Sequence, residues 1–174
     1  ITREMFESLL TVLEKRKEDH ELRAIFLSGE GDAFSAGGDV KDMASKEDTS
    51  SLEEKTNSLR RIMGVSELLY TLPIPTISII NGAAAGAGFA ISLACDMRIA
   101  TENAKFVTAF SKIAFSGDFG GSYFLTKIIG SAKARELFYL SEAIDGKKAN
   151  DLGIVNSLVN STEIDDYTKN LKNK

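Results

Sequence analysis

The sequence is poor in the residues that build disulfide scaffolds and zinc sites. It has one cysteine, Cys95, and one histidine, His20, among 174 residues. A single cysteine cannot form an internal disulfide, and together with one histidine it cannot complete a Cys/His zinc site. No apolar run approaches the roughly 20 residues that a transmembrane helix needs, and the first residues do not resemble a signal peptide. We therefore expect a soluble protein of the cytoplasm or an organelle, without a metal.

An excess of positive charge is also absent. The sequence has 21 Lys and Arg against 25 Asp and Glu, which gives a net charge of −4. This balance does not favour nucleic acid or an anionic membrane as a partner. The hydrophobic fraction of 43% is ordinary for a globular chain. No repeat, linker or low-complexity segment divides the sequence, so we expect a single domain over residues 1–174.

The order of the expected elements indicates an α/β fold with a parallel sheet. Thr2 is a candidate N-cap for a first helix, Ser51 with Glu54 forms a capping-box pattern for a second, and Asp145 is a candidate cap for a short helix. Apolar runs and periodicity predict strands over residues 22–27, 76–80, 97–100, 106–107 and 154–159, and helices over residues 86–95, 122–129 and 132–140. The stretch after residue 160 is expected to be a polar tail.

Two turns rich in glycine and alanine are the places where chemistry is expected. They are FSAGGDVK at residues 34–41 and NGAAAGAG at residues 81–88. Small residues let a ligand approach the backbone and leave N–H groups free to donate, and two such groups aimed at one point would stabilise an oxyanion. Neither turn contains a P-loop, a complete G-x-G-x-x-G or a nucleophile elbow. The pattern alone therefore leaves catalysis and simple tight packing open, and favours packing.

The same two turns resemble the signatures of the enoyl-CoA hydratase/isomerase (crotonase) family. FSAGGDVKDM at residues 34–43 is similar to the family's F-S/A-A-G-x-D-I/L-K-x-M segment. Residues 75–100 resemble the second signature, through PTI, NG, the two glycines of GAG, CD and RIA. A third match joins the strand at Phe106 to KI, GG and GIV at residues 112–113, 120–121 and 153–155. In order, the matches cover about residues 1–160.

The resemblance implies a spiral of ββα units that takes an acyl-CoA thioester as substrate and needs no tightly bound cofactor. It also implies an oxyanion hole of two backbone N–H groups, which by position are those of Gly38 and Ala87. The adenine and pantetheine site would be lined by Ala36, Gly37, Gly38, Asp39 and Val40. Family members usually form trimers or paired trimers. They also carry further strands and helices at both ends, so we expect terminal segments missing from this sequence.

The acid and base positions of the family indicate which reaction to expect. Family hydratases use two glutamates, and the corresponding positions here are Ala90 and Phe110. Water addition needs one group to activate water and another to handle the carbon-bound proton. The resemblance therefore disfavours hydration.

One carboxylate remains where family isomerases have an acidic residue. Asp118, in FSGDFGG at residues 115–121, matches their P-D/E-x-G segment, although Ser116 and Gly117 replace the usual hydrophobe and proline. FSKI at residues 110–113 resembles the ring-opening isomerases of the phenylacetate pathway. The phenylalanines on both sides of Asp118 are expected to exclude water and raise its pKa.

Asp118 has two interpretations. A single carboxylate can move a proton between two carbons of an enolate, which favours an enoyl-CoA isomerase. Alternatively, Asp118 caps the helix that follows it. A capping Asp118 would favour a chain that binds acyl-CoA without catalysis. Independently of Asp118, another crotonase reaction on the same enolate, such as thioester hydrolysis, dehalogenation or decarboxylation, also stays open.

Overall fold

In the described part of the chain, two four-stranded sheets form the frame of the fold. The computed structural model describes residues 1–38 and 49–173. The strands are β1 (Ile25–Ser28), β2 (Ala33–Ser35), β3 (Thr76–Ile80), β4 (Ala83–Ala85), β5 (Met97–Thr101), β6 (Lys105–Val107), β7 (Ile144–Asp145) and β8 (Ser157–Val159). One sheet has the order β1-β3-β5-β8 and the other β2-β4-β6-β7. The paired strands are parallel, apart from the antiparallel pair of β6 and β7.

The chain winds as a spiral between these sheets. Each of the first three turns adds a strand to the first sheet and then a strand to the second, and a helix follows. The helices are α1 (Arg3–Arg16), α2 (Leu52–Thr71), α3 (Ala87–Ala94), α4 (Gly121–Ile129), α5 (Ser131–Leu140), α6 (Gly146–Asp151) and α7 (Ile164–Lys172). A 3-10 helix covers Phe110–Ile113. This is the ββα spiral that the family resemblance implies.

The helix starts follow the capping residues of the sequence. The Thr2 hydroxyl accepts a hydrogen bond from the Met5 N–H. Ser51 and Glu54 form both bonds of a capping box at the start of α2. The Asp145 carboxylate accepts from the Lys148 N–H at 2.8 Å. These three predictions are confirmed, because each side chain supplies an acceptor that the first turn of a helix lacks.

Helix α3 lies at the centre of the core. All eight of its residues are buried, and the helix contacts α2, α4 and the second sheet. Its alanines and glycine allow close approach of the neighbouring backbones, while Phe89, Ile91 and Leu93 fill the remaining space. The second glycine turn opens directly into this helix, so its position is fixed by the best-packed part of the molecule.

Five predictions about secondary structure need correction. Residues 33–35 and 83–85, where no strand is predicted, are short strands, because parallel pairing to a neighbour holds each of them in the second sheet. The last strand begins at Ser157 rather than at residue 154, and the first covers Ile25–Ser28 rather than residues 22–27. The polar tail contains helix α7, whose Ile164 packs on Ile77, Ile79 and Ile99 of the first sheet.

Candidate active site

The candidate residues are brought to one edge of the second sheet. Strands β2, β4 and β6 are parallel neighbours, so their carboxyl ends lie side by side. The first glycine turn follows β2, the second follows β4, and the segment with Asp118 follows β6. Three segments far apart in sequence therefore leave the sheet at the same edge.

The two glycine turns are in direct contact. Gly37 has a φ of 93°, and a Cβ atom there would lie 2.9 Å from the carbonyl oxygen of Ala85. The Gly37 N–H donates to the Ser35 hydroxyl at 3.1 Å. That hydroxyl lies 2.4 Å from the position that a Cβ on Gly88 would occupy. Gly37 thus lies against the backbone of the second turn, and Gly88 lies against the Ser35 side chain.

Ala87 lies where a helix presents unpaired donors. It is the first residue of α3, and Gly86 before it has a φ of 51° and no side-chain cap. The first N–H groups of a helix have no acceptor within the helix and lie at the positive end of its dipole. Gly38 is half-buried at the end of the first turn. The role of Gly38 and Ala87 as oxyanion donors stays a prediction.

Three of the five residues expected at the coenzyme are described by the structure. Ala36 is exposed, Gly37 is buried and Gly38 is half-buried. Asp39 and Val40 lie outside the described residues. The first turn therefore exposes Ala36 and partly exposes Gly38 beside the second turn.

The Phe110 ring separates the second turn from the Asp118 segment. Its Cζ lies 3.9 Å from the Cβ position of Gly86, and its Cδ2 lies 3.5 Å from that of Gly117. Ala90 and Phe110 line one narrow apolar slot, together with Gly86, Phe89, Leu93, Thr108, Gly121 and Phe138. The slot is too tight for a water molecule. The two positions that correspond to the hydratase glutamates are therefore uncharged and closed to water.

Asp118 has a half-buried carboxyl group with an unsatisfied oxygen. Its Oδ1 is buried and has no hydrogen-bond partner within residues 1–38 and 49–173. Burial raises the pKa of Asp118 to about 6, and a hydrogen bond to its own backbone opposes this rise. Helix α4 has Gly120 at its N-cap and no side-chain cap. The alternative in which Asp118 caps the next helix is therefore wrong.

The aromatic surroundings of Asp118 differ from the expected ones. Phe119 is 2% exposed and stacks on Phe6, whereas Phe115 is 52% exposed and does not shield the carboxyl group. Phe110 and Phe138 contact the Cβ position of Gly117 instead. Sequence reasoning missed Phe6 and Phe138, because no local pattern shows that α1 and α5 reach this segment.

Residues 1–38 and 49–173 offer neither a metal site nor a membrane-spanning helix. No group of three or more His, Cys, Asp or Glu side chains there is arranged to hold a metal ion. None of the helices in that part of the chain combines the length and the apolarity needed to cross a membrane.

The comparisons with known proteins agree with this architecture. Among solved structures, the chain is similar to an enoyl-CoA hydratase from Bacillus anthracis, with a TM-score of 0.89 and 30% identity over 98% of this chain and 65% of that one. It is also similar to a Thermobifida fusca YX protein solved in complex with acetoacetyl-CoA, with a TM-score of 0.89 and 25% identity over 98% and 69% of the two chains.

Two curated relatives extend the comparison to sequence. The chain is 38% identical over 154 residues to a Bacillus subtilis (strain 168) protein named as a probable enoyl-CoA hydratase, covering 87% of this chain and 57% of the relative. It is 29% identical over 162 residues to the trans-2-decenoyl-[acyl-carrier-protein] isomerase of Streptococcus mutans serotype c, covering 93% and 62%. The chain thus spans about three fifths of the length of these relatives.

The spiral of ββα turns, with two glycine turns meeting at one sheet edge, is the architecture of the crotonase-like proteins. The model of the family described as enoyl-CoA hydratase/isomerase matches residues 1–174. The chain belongs to the enoyl-CoA hydratase/isomerase family.

Proposed function

We propose that this chain forms the catalytic part of an enoyl-CoA isomerase. In this reaction the double bond of a 3-enoyl thioester moves into conjugation with the carbonyl group. The observation that carries the proposal is the environment of Asp118, a half-buried carboxyl group with a buried oxygen that no described residue engages. Such a group is available to exchange a proton with a bound ligand.

Substrate activation is assigned to the two glycine turns. The N–H groups of Gly38 and Ala87 would donate to the thioester oxygen and stabilise the negative charge that develops on it. Removing one donor of this kind typically costs about 2.7–4 kcal/mol of transition-state stabilisation. The contact between Gly37 and Ala85 supports this assignment, because it brings the two turns within reach of one ligand atom.

Proton transfer is assigned to Asp118 alone. The carboxylate takes the proton from C2, and the electron pair of that C–H bond enters a dienolate held by the two donors. The same carboxyl group returns the proton to C4, which leaves the double bond between C2 and C3. A carboxyl group with a pKa of about 6 suits both steps, since it accepts and releases a proton near neutral pH.

The uncharged slot supports isomerisation over hydration. Ala90 and Phe110 supply no carboxylate, so the slot that they line holds no group that could activate water. Water addition would need such an activating group. Hydration is the second candidate, because the B. subtilis relative is named as a probable enoyl-CoA hydratase. Coenzyme A as carrier is supported by the acetoacetyl-CoA complex of the Thermobifida protein.

An ultraviolet assay of 3-enoyl-CoA conversion to 2-enoyl-CoA tests the proposal, with the full-length protein and its Asp118→Asn variant. We expect the variant to lose at least about 10²-fold in kcat, the size of effect typical for general acid–base groups, while acyl-CoA binding is retained. Product analysis for 3-hydroxyacyl-CoA in the same reactions detects hydration. Equal rates in both proteins would remove Asp118 from the mechanism, and 3-hydroxyacyl-CoA as the main product would replace isomerase by hydratase.

A further inference from the structure

The turn that carries Asp118 has an unusual backbone. Gly117, Phe119 and Gly120 all have a positive φ, with values of 95°, 50° and 72°. Two of them are glycines, but Phe119 has a Cβ atom that makes the left-handed conformation unfavourable. Such a residue persists only where surrounding contacts hold it. Some contact outside the turn must therefore fix Phe119.

That contact comes from the first helix. The rings of Phe6 and Phe119 are stacked, with centroids 4.6 Å apart and an angle of 21° between their planes. Both side chains are almost completely buried, at 4% and 2% exposure.

Helix α1 packs against helix α2. Leu10 approaches the Cβ position of Gly64 to 3.3 Å, and Glu7 pairs with Arg61 at 2.9 Å. The stack thus connects the Asp118 turn to a pair of packed helices. A turn with three left-handed residues gains a rigid external support in this way.

The Asp118 carboxyl group needs such support. No described residue bonds its Oδ1, so that oxygen has no polar partner to orient it. Within the turn, the Gly121 N–H donates to the Asp118 carbonyl oxygen at 3.0 Å. The direction of the side chain is consequently set by the backbone of residues 117–121, which Phe6 holds through Phe119.

We propose that Phe6 is a positioning residue, which aims the Asp118 carboxyl group by stacking on Phe119. The inference rests on the proposed function, because it assigns Phe6 to the same proton transfer. Phe6 acts only through the turn and does not itself touch the reacting atoms.

The test compares Phe6→Leu with Ile164→Ala in the full-length protein. The first substitution removes the stacked ring and keeps most of its volume. The second trims a side chain that is also buried, but that packs on Ile77, Ile79 and Ile99 of the first sheet rather than on the helices that hold Phe119. Isomerase kcat and KM are measured, together with hydrogen exchange of the Gly121 amide in the free protein, at a temperature where circular dichroism shows both variants folded.

In Phe6→Leu we expect kcat to fall at least about tenfold, since a displacement near 1 Å can cost about 10²-fold. KM should change by less than about twofold, because an interaction made only in the transition state is lost. Exchange of the Gly121 amide should become faster. Ile164→Ala should keep both kcat and this exchange rate.

A second variant, Phe119→Leu, removes the stack from the other side and should reproduce the Phe6→Leu result. Unchanged kcat and Gly121 exchange in both ring-deleting variants would overturn the inference, as would an equal effect of Ile164→Ala. A wild-type protein without isomerase activity would overturn the proposed function instead. The exchange measurement still compares the variants in that case and shows whether the stack holds the turn.

Discussion

The Ser35 side chain occupies the space that a side chain on Gly88 would need, at the point where the two glycine turns meet. The Ser35 hydroxyl lies 2.4 Å from the position of a Cβ on Gly88, and the Ser35 carbonyl oxygen lies 3.0 Å from it. The same hydroxyl accepts from Gly37. The end of strand β2 can approach the first turn of α3 only because residue 88 has no side chain.

Gly88→Ala is therefore expected to separate the two turns. The added methyl group overlaps the Ser35 side chain, which is too short to move aside, so the backbone must shift. Overpacking of this kind typically costs about 1–3 kcal/mol of unfolding free energy. Under the proposed mechanism isomerase kcat should fall as well, because a shift between the turns would move the N–H groups of Gly38 and Ala87 apart. Urea unfolding and the ultraviolet assay measure the two effects.

Adding Ser35→Gly to Gly88→Ala provides the control for that prediction. Removing the serine side chain clears most of the overlap, so the double variant should be more stable than the sum of the single effects predicts. An additive result would show that the two positions do not interact, and would contradict the contact.

Gly37→Ala is expected to lower kcat, whereas Gly31→Ala is expected to leave kcat unchanged. Both glycines have a positive φ, of 93° and 73°, but only at residue 37 would a Cβ meet another atom, the Ala85 carbonyl oxygen. Alanine at residue 37 should displace the first turn and lower kcat by about 10²-fold, the usual effect of one lost oxyanion donor. Steady-state kinetics on the two alanine variants provide the comparison.

Gly31→Ala shares the unfavourable φ without the overlap, since a Cβ there meets nothing within 4 Å. It should lose about 1 kcal/mol of stability and keep its kcat. Similar kcat values for the two alanine variants would argue against contact between the turns as a requirement for activity.

The pH dependence of the reaction should follow Asp118. Burial raises the pKa of its carboxyl group to about 6, and the base must be ionised to take the proton from C2. We expect kcat/KM to increase with pH through about 6 and then to level off. A pH–rate profile of the wild-type protein measures this limb, and a limb near 4 would mean that the carboxyl group is solvated in the working enzyme.

The same pKa makes a prediction about stability. Because the pKa of Asp118 is higher in the folded than in the unfolded chain, its contribution favours the folded state at low pH. That contribution is fully present below about 3.8 and is lost as the pH rises through about 6. Asp118→Asn should remove this part of the pH dependence. Urea unfolding of both proteins at pH 4 and pH 7 provides the comparison.

Phe110→Ala is expected to open the slot beside Asp118. The ring is 7% exposed and contacts the Cβ positions of both Gly86 and Gly117. Its loss should cost about 3–5 kcal/mol of stability, as for other buried phenylalanines. Entry of water should also shift the pH–rate limb below 6, because desolvation of Asp118 is relieved.

Phe115→Ala in the same segment is the control. Its side chain is 52% exposed, so the substitution should change stability by less than about 0.5 kcal/mol and leave the pH profile in place. A shift of the pH–rate limb in Phe115→Ala, or the absence of a shift in Phe110→Ala, would contradict the prediction. Either result would show that the Phe110 ring is not the one that shields Asp118 from water.

The sequence predicted most of the long elements and the position of both glycine turns, but of the second sheet it predicted only the strand at residues 106–107. Ala83–Ala85 consists of alanines, which have no preference for strands, and parallel pairing to β2 and β6 alone makes it one. Helix α7 was not predicted because its sequence is mostly polar. The contact that holds it, between Ile164 and the first sheet, joins residues that are distant in sequence. The motif match predicted Asp118 as the candidate base. The stack of Phe6 on Phe119, proposed to position it, joins segments that are distant in sequence and therefore has no local pattern.

The parallel order of β2, β4 and β6 places the two proposed tasks on different segments of the chain. The groups assigned to activating the thioester follow the first two strands, and the group assigned to moving the proton follows the third. Under the proposed mechanism, a substitution in the segment after β6 would change the proton transfer and leave recognition of the carbonyl oxygen in place. Such modularity makes this third segment the natural place to redesign the chemistry of the molecule.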